Sequence, residues 1–258
     1  MVFAVFLWHI LKRECMPEGP SIVIVKDEVQ QFAGHKVIAV SGNSTIGIDR
    51  MEGKTVLSFK SWGKHFLICF EGFTLKVHFL MFGTYRINER KESAPRLSLV
   101  FSNGEINLYT CSIKFLEGDL DLYYDWSTDV MNASWDPEKA KRKLREIPQK
   151  MICDTLLEQD IFSGVGNIIK NEVLYRTHTH PESLTGKIPS ELIDSIIEEC
   201  SRYSFEFLEW KKNYELKKHW LAHTKKTCQR CNLPIVLKYT GLKKRRSFFC
   251  VNCQKLYQ

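Results

Sequence analysis

Four cysteines carry the most specific chemical signal in this 258-residue chain: Cys228-x-x-Cys231, eighteen intervening residues, then Cys250-x-x-Cys253. Two such pairs at this separation are the spacing of a tetrathiolate zinc site, in which two loops each offer two sulfurs to one tetrahedral ion. A four-cysteine site is closed and leaves no coordination position for a substrate, so one structural Zn2+ is expected rather than metal catalysis. Between the pairs lies LKYTGLKKRRSFF, two expected strands around a tip that carries Lys243, Lys244, Arg245 and Arg246. A metal-braced hairpin with a cationic turn suits a row of phosphates. The remaining cysteines, Cys15, Cys69, Cys111, Cys153 and Cys200, stand singly and mostly in apolar runs, as small buried hydrophobes of a reducing compartment do.

A second candidate lies near the beginning. Met16-Pro17-Glu18-Gly19-Pro20 looks like the start of a chain, yet it follows MVFAVFLWHILKREC. Inside a peptide bond the Pro17 nitrogen is inert, because its lone pair is delocalised into the preceding carbonyl. As a chain terminus it would be a secondary amine, and a free α-amino group titrates near pH 8, which leaves a neutral, nucleophilic fraction at physiological pH. Glu18 would then hold a carboxyl next to it by covalent connection alone. The turn Gly164-Val165-Gly166-Asn167 is a further candidate. Glycines in such a turn let a phosphate approach the backbone, and the amides at the start of the next helix attract the anion, with the Asn167 side chain as a further donor.

The composition accommodates these groups. Lys and Arg outnumber Asp and Glu by 37 to 30, giving a formal charge of +7, and the sequence pI is about 8.9, which favours a polyanionic partner. Hydrophobic residues make up 44% of the chain, enough for a substantial core. The apolar stretch Met1 to Leu11 is shorter than the roughly 20 residues a membrane-spanning helix needs. Its charges, Lys12 and Arg13, follow the apolar run, which is the wrong order for a secretory signal.

Stepping outward to the elements that must hold these residues, SIVIVKDEVQQFAG has apolar positions at Ile22, Val25, Val29 and Phe32, a helical spacing ended by Gly34. From about Val37 to Tyr109 the pattern changes to short strands, KVIAV, KTVLSF, HFLICF, FTLKVHF, RLSLVF and EINLY, with Asn103-Gly104 as a hairpin signal between the last two. Strands at this spacing predict a sandwich or barrel. Asp136-Pro137 then offers a helix cap with proline at the first helical position, and helical periodicity continues through MICDTLLEQDIF, IIKNEVLYR and Ser190 to about Lys212. The fold expected is α+β: an N-terminal β-sandwich domain with a flanking helix, a helical domain and a C-terminal zinc-finger hairpin.

In this order, MPEGP, an early Gly-Lys, Gly-Val-Gly-Asn between helices and a terminal zinc hairpin resemble the formamidopyrimidine-DNA glycosylase and endonuclease VIII family, over nearly all of residues 16–258. The resemblance implies a bifunctional DNA glycosylase and AP lyase of base excision repair, with Pro17 as nucleophile on the sugar carbon bearing a damaged base and Glu18 as acid on the opening ring. It also implies that Lys64 in SWGKHFL, matching the family's strand lysine, contacts phosphate and assists elimination, and that Arg245 in the finger does the same, with Arg246 as its adjacent rival and Lys244 beside them. A base inside a duplex is out of reach and must be flipped. The run His78-Phe79-Leu80-Met81-Phe82-Gly83 matches the loop that fills the resulting gap, Met81 being its central residue between Leu80 and Phe82. Gly166 and Asn167 belong to the helix-two-turn-helix element, and Glu172 is read as structural.

Two departures matter. Ser21 stands where members commonly carry a glutamate, and Ile113-Lys114-Phe115 keeps only part of the Arg-Arg-Phe loop of the purine-directed branch. The stretch EFLEWKKNYELKKHWLAHTKKTC lacks that branch's Gly-Gly-Thr segment, so oxidised pyrimidines, with β,δ-elimination, are the expected preference. The domains implied are 16–132 (catalytic sandwich), 133–222 (helix-two-turn-helix) and 223–258 (finger), with residues 1–15 expected to be removed or non-native. The partner expected is double-stranded DNA with damaged bases or abasic sites, bound by a cytoplasmic monomer, nucleoid-associated in a bacterium, without membrane attachment. The alternative is a non-catalytic damaged-DNA-binding member whose retained extension blocks Pro17.

Overall fold

The structure, a computed structural model, describes residues 17–258. The apolar opening, the expectation for residues 1–15 and the removal of Met16 lie outside the described residues. Contacts group the chain into two compact units, one comprising Pro17 and Val25–Leu120, the other Glu18–Ile24 and Asp121–Gln258. No helix among the described residues is long and apolar enough to cross a membrane.

Helix α1, Gly19–Glu28, forms where its periodicity predicts but ends before Gly34: Val29 is in a turn, Gln30–Phe32 form a short 3-10 helix, and Gly34 at φ 80 closes the segment, with Ile22, Val25, Val29 and Phe32 all buried. In the first unit it leads into strands β1 (Ala39–Ser41), β2 (Ser58–Trp62), β3 (His65–Cys69), β4 (Phe73–Ile87), β5 (Leu97–Phe101) and β6 (Gly104–Glu117). These join antiparallel in the order β1-β5-β6-β4-β3-β2. The expected sandwich therefore takes the form of one continuous sheet with two long central strands. One half of β4, Phe73–Phe79, pairs with Cys111–Glu117 of β6, the other half, Thr84–Ile87, with Ile106–Tyr109, and the register breaks between them. Such a bulge bends its strand and re-aims side chains. Phe82 at φ 68 and Thr110 at φ 51 mark the break. The β5–β6 turn falls one residue earlier than Asn103-Gly104 suggests, because Gly104 already pairs with Phe101.

In the second unit Asp136 caps helix α2, Pro137–Glu146, its carboxylate accepting from the Lys139 amide at 2.9 Å. The periodicity of MICDTLLEQDIF gives only one turn, α3 (Ile152–Thr155), before the chain breaks into turns. Helices α4 (Asn167–Arg176) and α5 (Ser190–Lys212) follow, and the tail forms the hairpin of β7 (Val236–Thr240) and β8 (Arg245–Phe249).

Helix α4 is buried along its whole middle, Ile168 to Tyr175, which forces its polar residues to find partners inside the protein. Glu172 does so by accepting the amides of Leu221 (2.8 Å), Ala222 (2.9 Å) and His223 (2.7 Å). Burial raises its carboxyl pKa, and the three amides offset only part of that rise. The residue is structural, as the sequence suggests: it seats the segment that enters the cysteine hairpin. Glu172→Gln replaces an acceptor oxygen by a donor facing an amide, so a loss of about 1–3 kcal/mol of stability is expected in urea unfolding.

Candidate active site

Glu18 and the glycine turn are built against each other within the second unit. Only 2% of Glu18 is exposed, and its two carboxylate oxygens accept the amides of Ile168 (2.8 Å) and Ile169 (3.2 Å). These are donors in the first turn of α4, which no helical carbonyl can satisfy, and the helix dipole adds a favourable field for a carboxylate. Gly19 donates its amide to the Gly164 carbonyl at 2.9 Å. A Cβ on Gly166 would fall 2.3 Å from Glu18 Cδ, and one on Gly19 would fall 3.0 Å from Gly164 Cα. The glycines of GVGN thus serve the glutamate as well as any incoming phosphate. Pro17, half-buried, is fixed on one side by its bond to this anchored residue.

Ser21, one helical turn on, does not leave an empty place. Its hydroxyl accepts from Lys211 Nζ at 2.9 Å, so the position expected to carry a carboxylate faces an ammonium instead.

In the first unit Lys64 sits in the two-residue turn between β2 and β3, after Gly63 at φ 52, rather than on the strand its sequence context suggests. Its carbonyl bonds His78 Nδ1 at 3.2 Å, so His78 braces the turn that carries Lys64. Burial is the largest cause lowering the His78 pKa, and it takes the neighbouring His65, whose ring lies 5.4 Å from that of His78, to about 4. Beyond His78 the register break of β4 turns three apolar side chains outward: Leu80, Met81 and Phe82 are 46%, 57% and 74% exposed. The strand continues to Ile87 instead of ending in core residues. Gly83 allows this, since a Cβ there would meet the Thr110 carbonyl at 2.8 Å.

The cysteines meet as their spacing predicts. One sulfur from each of Cys228, Cys231, Cys250 and Cys253 lies within 4.8 Å of the other three, a cluster that could hold a metal ion. Tyr175 OH, 3.1 Å from Cys228 Sγ, backs the site from α4. On the hairpin, Arg245 and Arg246 open β8 and Lys244 precedes them at φ 44. Lys244 and Arg246 are exposed, Arg245 half-buried. Lys243, counted with the cationic tip, instead pairs with Glu158 at 3.1 Å.

Three side chains that sequence reasoning passed over fix this hairpin. Buried Asp154 accepts the amides of Leu242 (2.6 Å) and Lys243 (3.2 Å), and Gly241 leaves it room. Asn171 accepts the Phe248 amide at 3.1 Å and donates to the Arg246 carbonyl at 3.3 Å, while Lys170 reaches Arg246 and Ser247. A signal existed. Successive helical residues are about 100° apart, so the consecutive Lys170, Asn171 and Glu172 cannot share one solvent face.

Known proteins share this architecture. The formamidopyrimidine-DNA glycosylase N-terminal domain model matches residues 16–116, and the formamidopyrimidine-DNA glycosylase H2TH domain model matches residues 127–212. The chain is 28% identical over 239 residues to endonuclease 8-like 3 of Xenopus laevis, covering 85% of this chain and 38% of that protein. It is 27% identical over 279 residues to the formamidopyrimidine-DNA glycosylase of Lactococcus lactis subsp. cremoris, covering 93% of this chain and all of that one. The chain thus spans 33–38% of the endonuclease 8-like 3 relatives it matches. Among solved structures, a viral DNA glycosylase has the same fold at a TM-score of 0.81 and 19% identity over 92% of this chain and 100% of that one. The Lactococcus lactis glycosylase non-covalently bound to DNA containing an AP site does so at 0.82 and 22% over 92% and 99%.

The contact of Gly166 with Glu18 is testable by a single methyl group. Gly166→Ala is expected to displace the glutamate and to cost about 1–3 kcal/mol in thermal or urea unfolding. Gly47→Ala, at φ −64 with open space around it, is expected to leave stability equal or slightly raised.

Proposed function

Because the chain belongs to the formamidopyrimidine-DNA glycosylase and endonuclease VIII family, we propose that it is a bifunctional DNA glycosylase and AP lyase acting in base excision repair on duplex DNA with damaged bases or abasic sites. The observation that carries the reading is the anchoring of Glu18: a carboxyl group buried on the amides of Ile168 and Ile169, joined by one peptide bond to Pro17.

The chemistry follows from these groups. The neutral secondary amine of a terminal Pro17 attacks the sugar carbon bearing the base; the new C–N bond forms as the glycosidic bond breaks, and the base leaves with the electron pair and takes up a proton. The attacking nitrogen gives its N–H proton to the Glu18 carboxylate, and Glu18 delivers it to the ring oxygen as the sugar opens, which leaves an iminium between Pro17 and the deoxyribose. Loss of the 3′ phosphate by β-elimination and of the 5′ phosphate by δ-elimination cuts the strand, and water releases the sugar remnant from Pro17. Lys64 and Arg245 assist these eliminations as cations beside phosphate, with Lys244 and Arg246 adjoining Arg245 on the hairpin. Asn167 supplies a phosphate donor at the Gly166 turn. Met81, with Leu80 and Phe82, fills the gap left by the flipped nucleotide, and His78 supports that strand; three exposed apolar side chains at a strand break are what such a wedge requires.

Zinc fits the cysteine cluster. A tetrahedron with Zn–S bonds of about 2.3 Å has edges of about 3.8 Å, and two of the sulfur separations are 3.5 and 3.8 Å. Held by four thiolates, the ion would supply folding energy to the hairpin. Oxidised pyrimidines are the substrate we favour, on the absence of a Gly-Gly-Thr segment between α5 and the hairpin. The division of labour proposed is catalysis from residues 16–132, DNA binding from 133–222 and phosphate contact from 223–258.

Borohydride reduction of an abasic-duplex mixture tests the nucleophile. A chain beginning at Pro17 is expected to give a covalent adduct mapping to that residue by mass spectrometry, and one with any residue joined before Pro17 to give none. An adduct on an internal lysine in both chains would remove Pro17 from the reaction. Glu18→Gln is expected to slow base excision about 10²–10⁴-fold while leaving abasic-duplex affinity nearly unchanged; equal losses in both would make Glu18 a structural residue only.

A further inference from the structure

Lys170 lies in the middle of α4 with none of its surface exposed. Its ammonium is within hydrogen-bond reach of three acceptors: Asn167 Oδ1 at 3.0 Å, the Arg246 carbonyl at 3.2 Å and Ser247 Oγ at 3.0 Å. A lysine has three N–H donors, and here each has an acceptor. Complete satisfaction of this kind is what allows a charge to remain buried.

The three acceptors have different meanings. Holding Asn167 Oδ1 fixes which branch of the carboxamide faces inward, and so leaves the NH2, the branch that can serve a phosphate, on the other side. Holding Arg246 and Ser247 ties down the start of β8, the strand that carries Arg245 and Arg246. We propose that Lys170 is a positioning residue for phosphate binding, which from one ammonium sets the donor face of Asn167 and the register of the arginine-bearing strand. It rests on the reading of Asn167 and the hairpin arginines as phosphate ligands.

Removing the proton would dismantle the arrangement, since a neutral amine has two donors for three acceptors. Burial is the main cause that brings the Lys170 pKa down to about 8; the Arg245 charge lowers it further, while Cys153 and Asp154 on α3 and Glu18 before α1 raise it. The bonded form therefore prevails below pH 8 and is lost as pH rises through that value. Affinity for DNA should weaken over the same range.

The experiment measures Kd of the full chain for a duplex bearing a tetrahydrofuran abasic analogue, from pH 6.5 to 9.5. Lys170→Met, similar in length and apolar, is expected to bind about tenfold or more weakly at pH 7, with the ratio to wild type shrinking toward one by pH 9.5. Asn167→Ala is expected to weaken wild type but to add little to Lys170→Met. A ratio that stays constant with pH, or additive losses, would overturn the positioning role and leave Lys170 a mere packing residue. An Asn167→Ala variant that binds as wild type would sink the underlying phosphate reading, and the inference with it, which separates the two failures. Should Lys170→Met not fold, the wild-type and Asn167→Ala pH profiles alone decide: the decline above pH 7 should be smaller without Asn167, and an equal decline overturns the proposal.

Discussion

The exchange between one carboxylate and one helix terminus organises the second unit. The first amides of α4 have no helical partner, and the Glu18 carboxylate has lost its water; each removes the other's deficit at 2.8 and 3.2 Å. Because Glu18 is far from α4 in sequence, the contact also closes a long loop of chain. The glycine requirement follows from it directly. With Glu18 seated on the amides, nothing larger than hydrogen fits at Gly166, and the backbones at Gly19 and Gly164 approach too closely for a side chain. Sequence motifs 146 residues apart are thus two halves of one packing solution.

The same helix extends this logic to the hairpin. A two-stranded hairpin is marginal by itself, and β7–β8 is held by α4 and α3 through buried polar contacts as well as by its cysteines. Asp154 takes the amides of its turn, Lys170 and Asn171 take the start of β8, and Glu172 takes the segment leading to Cys228. Each is a charged or amide group whose partner is mostly backbone, so the geometry is set whatever side chains the hairpin displays. The displayed residues are then free to be chosen for their charge. Arg246, whose carbonyl is held and whose side chain is exposed, shows the separation within one residue.

What could be read in advance follows the range of the forces involved. The helix bounded by Asp136 and Pro137 and the cysteine cluster depend on local spacing and were legible. The α+β order of the fold was legible too, from the change of period. Lys64 reads as a strand residue because a two-residue turn leaves little trace in composition. The sequence of β4 shows a strand only as far as Phe79, since a register break at Leu80 to Gly83 depends on β6, whose partner residues lie about thirty positions on. The run of Lys170, Asn171 and Glu172 signals a polar partner inside the protein, but which groups Asp154, Lys170 and Asn171 meet does not show in the sequence, because those groups are mostly backbone atoms far along the chain. Ser21 shows the reverse case: the missing carboxylate is plain in the sequence, but the ammonium that meets the hydroxyl there, Lys211, lies 190 residues away.

The discontinuous second unit also has a consequence in time. Residues 18–24 belong with residues 121–258, and the Glu18 carboxylate must wait for Ile168, 150 residues later. At synthesis rates of about 5–20 residues per second, that wait is roughly 8–30 s, longer than most local folding steps. The strands of residues 25–120 are complete well before then. Residues 18–24 therefore spend the whole interval without their partners in residues 121–258.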